Sequence, residues 1–133
     1  MKLEIPLTEI ENFLANRYNT NISLKSIDKN KIEVNYIIPI VLSIKEVNCH
    51  ELFFKYEVGF LGRIGLSLLE EKIKKYPILL DRENHEITID LRKIDKIKEY
   101  FKYLSLSELQ FINDEILLVL KAWYNYSNHK KKR

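Results

Sequence analysis

The feature that most constrains this chain is alternation. Apolar residues return at every second position in run after run: Leu3, Ile5 and Leu7; Ile32, Val34 and Tyr36; Ile40, Leu42 and Ile44; Leu52, Phe54, Tyr56 and Val58; Ile87, Ile89 and Leu91; Ile116, Leu118 and Leu120. Successive side chains of a strand point to opposite faces, so each run builds a strand with one apolar face. Ile22, Leu24 and Ile27 add another, as do Leu109 and Phe111. The connections at Asp28-Lys29-Asn30-Lys31, near Asn48 and at Asn113-Asp114 are short and polar, which suits hairpins and an antiparallel meander.

Three stretches change to helical spacing. Thr8 with Glu11 three residues on reads as a capping box, followed by Ile10, Phe13, Leu14 and Tyr18 on one stripe. Leu61, Ile64, Leu68, Leu69, Ile73 and Tyr76 mark a second helix, stopped by Pro77. Ile94, Ile97, Phe101 and Leu104 mark a third. The expected fold is α+β: a curved antiparallel sheet of about six or seven strands packed around three amphipathic helices. At 133 residues the chain is long enough for one real core, with a single domain over 1–126 and a basic tail over 127–133. Shifting the chain by 84 residues lays Leu3, Ile5 and Leu7 on Ile87, Ile89 and Leu91, and Ile32, Val34 and Tyr36 on Ile116, Leu118 and Leu120. An internal αββ duplication explains this, and so does a shared apolar period with similar loop lengths; both stay open.

Charge narrows the function classes. The chain holds 22 basic and 19 acidic residues, but Lys130 to Arg133 supply four of the basic ones, leaving residues 1–129 at a net −1. Nucleic-acid readers need a basic face on the folded body, so nucleic acid is a disfavoured partner and only the tail argues for it. The start of the chain has no charged and apolar leader pattern. The apolar stretch from Tyr36 to Ile44, broken by Pro39 and Ser43, falls well short of the ~20 residues a bilayer span needs. One cysteine, Cys49, excludes an internal disulfide. The expected location is cytoplasmic.

Candidate chemistry is sparse. The three glycines fall at Gly59, Gly62 and Gly65, at the junction of a strand with the second helix. The spacing matches no phosphate-binding fingerprint, so a hinge or a close helix–sheet approach is expected instead. Cys49-His50 has no third metal ligand nearby in sequence, with His85 and His129 far away, and no metal or cofactor is expected. Asp81, Glu83 and Glu86, and Asp114 with Glu115, are turn carboxylates without a partner base or nucleophile, so the chain reads as non-enzymatic. Arg92 to Tyr103 carries five basic and two acidic side chains, the composition of a solvated helix face or of a contact with an anionic membrane surface. Tyr124, Tyr126 and His129 to Arg133 could add to such an attraction.

Phe53 beside Phe54, Ile37 beside Ile38, and Leu117 to Leu120 break the alternation. Strands apolar on both faces must meet a second layer, a partner subunit or an apolar ligand. The capped segment Pro6-Leu7-Thr8-Glu9-Ile10-Glu11-Asn12-Phe13-Leu14 ahead of a meander resembles small bacterial tubular lipid-binding proteins of the SMP/TULIP type. So do the closing segments Ile87-Thr88-Ile89-Asp90-Leu91 and Leu109-Gln110-Phe111-Ile112-Asn113-Asp114-Glu115-Ile116. The likeness spans most of the chain and rests on apolar spacing. It implies a non-enzymatic binding module for a lipid-like, apolar or amphiphilic ligand, acting at a membrane surface. Phe54, Tyr56, Val58, Leu61, Ile64 and Leu68 are the expected cavity lining, with Gly59, Gly62 and Gly65 letting the helix move over it. The alternative is a protein-interaction or homodimeric structural domain without a small ligand.

Overall fold

The computed structural model describes residues 1–74, 77–94 and 97–122, apart from the side chains at 60–64 and 69. The expected tail at 127–133 and the helix end at Tyr76 lie outside the described residues. In order the chain forms β1 (Lys2–Pro6), α1 (Leu7–Tyr18), β2 (Ser23–Asp28), β3 (Lys31–Tyr36), β4 (Ile38–Asn48), β5 (Glu51–Val58) and α2 (Phe60–Ile73). There follow β6 (Ile78–Asp81), β7 (Glu86–Asp90), two short 3-10 turns (Leu91–Lys93 and Lys98–Lys102), β8 (Leu104–Ile112) and β9 (Glu115–Ala122).

The fold is α+β and antiparallel, as alternation predicts, but the strands divide between two sheets. One has six strands in the order β2-β3-β4-β5-β7-β6; the other has three, β1-β9-β8, and neither closes on itself. Two further expectations are corrected. The third helix is not a helix: its stripe is broken into the two 3-10 turns, leaving two α-helices among the described residues. Asp90 takes the amide of Arg92 and caps the first of these turns, and Phe101 drops into the core from the second. The capping box is also absent. Helix α1 already begins at Leu7, and Glu11 Oε2 instead accepts the Leu24 amide at 2.7 Å. That bond satisfies a donor on β2, the edge of the large sheet, where an open N–H would otherwise invite another strand. Strand β6 has no counterpart in the sequence reading, because Ile78-Leu79-Leu80-Asp81 is too short to show a period.

Alternate positions of the central strands make one continuous apolar face. Ile44, Phe54, Ile87 and Leu80 lie side by side across β4, β5, β7 and β6; Ile32, Leu42 and Tyr56 form the neighbouring row. Two different layers cover this face. The small sheet packs Leu106, Leu109, Phe111, Leu118 and Leu120 on Ile32, Leu52 and Phe54. The Phe54 and Phe111 rings stack at 6.5 Å between centroids. Further along, α2 lays Leu66 on Ile40, Tyr56 and Ile87. Leu42 and Ile89 touch both clusters and make them one interior.

Hairpin tips fasten the layers together. The Asn113-Asp114 turn has both residues in the left-handed region, the conformation that two-residue hairpins use to match strand twist. Its Asp114 carboxylate accepts the Ser26 amide and hydroxyl, and its carbonyl accepts the Leu7 amide. The Cys49-His50 tip does the equivalent work on the other side: the Cys49 carbonyl takes the Leu106 amide and the His50 carbonyl takes the Leu91 amide. β1 therefore lies on β9 in the same register, counted from the tip, as β7 lies on β5: Pro6 pairs with Glu115 and Asp90 with Glu51. Leu7 and Leu91, 84 residues apart, leave those strands into the same core, and both are buried.

Leu7 is 2% exposed, so Leu7→Ala should cost about 2–5 kcal/mol in urea unfolding, as deletions at well-packed leucines do. The clasp on Ser26 is open to acid. Its hydrogen bonds from the Ser26 amide and hydroxyl hold the Asp114 carboxyl below the ordinary value of 3.8. A carboxyl lowered by folding stabilises the native state above its unfolded pKa, and that contribution fades as pH falls through the folded value. The urea midpoint should therefore drop below pH ~4, and Asp114→Asn should remove part of that drop. A variant with the wild-type pH profile would show that the clasp adds nothing.

Candidate functional site

The site with the most unusual packing is the interface of α2 with the six-stranded sheet. Beneath the helix four side chains are buried: Ile40, Tyr56, Leu66 and Ile87. Around them eight more apolar residues pack but stay half-buried, including Tyr36, Ile38, Val58, Ile73, Ile78 and Leu80.

The approach of the helix is set at one point. A Cβ built on Gly65 would sit 2.9 Å from Ile38 Cγ2, so glycine lets α2 come down on β4 here. A hinge or a close helix–sheet approach is the sequence expectation at all three glycines, and this contact concerns one of them. Gly59, just ahead of α2, is extended and has open space around it, and the surroundings of Gly62 lie outside the described residues.

Of the six expected lining residues, the structure brings two onto this interface. Tyr56 is buried in it and Val58 is half-buried at its edge. Phe54 lies one residue pair further along the same face, under the small sheet. Leu68 points outward from α2 and is 66% exposed, and the side chains of Leu61 and Ile64 lie outside the described residues. Residues outside the expected lining complete the surface: Ile38 and Ile40 from β4, Ile87 from β7, and Ile78 and Leu80 from β6. Only the register of β6 on β7 reveals the last two.

One end of this apolar surface is polar. The His85 ring stacks on Tyr56 at 5.5 Å, nearly parallel. Burial pushes the Tyr56 phenol above its ordinary value, so it stays a neutral donor and acceptor. Arg82, in the β6–β7 turn, reaches Glu70 of α2 at 3.2 Å and ties that turn to the helix. Asp81 accepts the amide and side chain of Asn84 within the same turn.

The other carboxylates and the cysteine turn have structural partners. Glu86 pairs with Lys45 and Lys55 on the open face of the large sheet, and the Cys49-His50 backbone joins the two sheets. Among the described residues no three His, Cys, Asp or Glu side chains converge as metal ligands would, and no helix is long and apolar enough to cross a membrane. Compared with protein-family models, with curated proteins and with solved structures, the chain matches none of them.

The Gly65 contact yields a direct test. Gly65→Ala should destabilise the fold by about 1–3 kcal/mol through overpacking. Most of that cost should vanish in an Ile38→Ala background, where the colliding methyl is gone. Additive losses in the double-mutant cycle would mean that helix propensity or slack, not the close approach, decides the position.

Proposed function

We propose that this chain is a non-enzymatic binding module for an amphiphile, whose apolar part lies along the seam between α2 and the six-stranded sheet. The observation that carries the reading is the apolar surface where α2 meets the sheet: among the described side chains, buried Ile40, Tyr56, Leu66 and Ile87 are bordered by a ring of half-buried apolar ones. Each Å² of that ring left in water forgoes about 25 cal/mol, which an alkyl chain laid along it would recover. Arg82, His85 and the Tyr56 hydroxyl at one end supply the polar contacts for a head group. The resemblance to tubular lipid-binding proteins points to the same ligand class.

Organic extraction of the purified protein followed by mass spectrometry should recover a bound amphiphile, and a dansyl-labelled fatty acid should bind saturably. Val58→Trp, which fills the seam, should weaken that probe about tenfold, equivalent to roughly 1.4 kcal/mol. Leu79→Trp, on the open face, should not. A protein that yields no amphiphile and binds no probe refutes the reading.

A second reading, a homodimeric or protein-interaction domain, draws on one feature. Strand β6 is an outer strand of the large sheet, and its Leu79 is 72% exposed. Such an edge accepts another strand. Light scattering after size exclusion separates the two, since the dimer reading requires a mass of two chains that Leu79→Lys reduces to one.

A further inference from the structure

The segment that sequence periodicity reads as a third helix holds a surface the amphiphile seam does not explain. Arg92, Lys93, Lys98 and Lys102 are all exposed on the two 3-10 turns, together with Glu99. Tyr100 and Tyr103 project beside them, 45% and 69% exposed. Arg92, Lys98, Glu99, Phe101 and Lys102 line a pocket of about 320 Å³. Arg92 lies 3.5 Å from Asp90, and Lys102 lies 3.0 Å from Glu99 in a pair exposed on both sides, which solvent already weakens.

The charge of the whole chain is polarised toward this place. Residues 91–103 hold five basic and two acidic side chains, whereas the rest of residues 1–129 holds thirteen basic and seventeen acidic. Ala122 at the end of β9 pairs with Leu104, the first residue after this segment.

We propose that this basic, tyrosine-bearing end docks on an anionic membrane surface, with one lipid phosphate entering the pocket of Arg92, Lys98 and Lys102. Tyrosine and lysine together suit the head-group layer, where an amphipathic ring and a long cationic side chain both find partners. The shape of the charge favours a bilayer over a nucleic acid. A bilayer needs only this one surface, whereas a nucleic acid tracking along the molecule would meet the acidic remainder. Docking stands whether or not the seam under α2 holds an amphiphile.

The test is sedimentation of the full chain with phosphatidylcholine vesicles, with and without phosphatidylglycerol. Binding should require phosphatidylglycerol and weaken as salt rises. Each cation near an anionic surface contributes about fivefold, so Arg92→Gln/Lys98→Gln/Lys102→Gln should lower partitioning roughly 100-fold. Tyr100→Ser/Tyr103→Ser should lower it too. Lys25→Gln/Lys29→Gln/Lys31→Gln, which removes the same charge from the β2–β3 hairpin, should leave it nearly unchanged, with circular dichroism melts showing each variant folded. Equal binding to neutral vesicles, or an equal loss in the hairpin variant, overturns the proposal. So does complete loss on deleting Lys130–Arg133 alone, which would assign the contact to the tail. Binding of single-stranded RNA without vesicle binding would assign the patch to nucleic acid instead.

Discussion

The organising constraint is that two different layers, the small sheet and α2, share the one apolar face of the six-stranded sheet. Antiparallel sheets commonly leave one face to water and bury the other, and this one does so with charged residues such as Glu33, Lys55 and Glu57 on its open side. The buried side must be covered along its full length. The small sheet covers the part around Ile32, Leu52 and Phe54, and there the core is dense, down to 2% exposure at Leu120. Beyond Leu42 and Ile89 it ends, and α2 alone takes over.

The two covers are attached differently. Backbone and carboxylate hydrogen bonds at the Asp114 and Cys49-His50 tips hold the small sheet, fixing the strand register as they form. Register errors would turn every apolar residue to the wrong face, so these bonds and the core reinforce each other. Helix α2 has a contact at Gly65, the Arg82–Glu70 pair and a small cluster of side chains. The ion pair is largely solvated and contributes at most about 1 kcal/mol.

Much of this was legible in the sequence. Period-two runs located eight of the nine strands, because a half-buried strand cannot hide its alternation. Both hairpin turns at Cys49-His50 and Asn113-Asp114 stood where polar residues interrupted apolar runs. What the sequence concealed was long-range. Phe54 and Tyr56 sit two residues apart on one face of β5, yet one meets a sheet and the other a helix. No local pattern distinguishes them, since the difference lies in what arrives from residues 60–73 and 104–122. The 3-4-3 spacing of Ile94, Ile97, Phe101 and Leu104 misled for a related reason. Burial of Leu91 and Phe101 in the same core is met by two short turns, and tertiary contact overrode a pattern that an isolated segment would satisfy as a helix.

That loss of the third helix changes the meaning of its charge. On a regular helix the five cations would be spread along a solvated face behind an apolar stripe. Folded into two tight turns around a buried Phe101, Arg92, Lys98 and Lys102 instead surround a single pocket, with Tyr100 and Tyr103 beside it. Bringing like charges together raises the local positive potential and costs folding energy unless something negative offsets it. Glu99 and Asp90 offset it in part, and the acidic balance of the remaining body lies elsewhere in the chain. The molecule thus presents an apolar seam beside α2 and a cluster of exposed cations on the two 3-10 turns, in a chain whose remaining residues to 129 are slightly acidic. An amphiphile with an anionic head group, met at the surface of a bilayer, is the partner on which the two proposals converge.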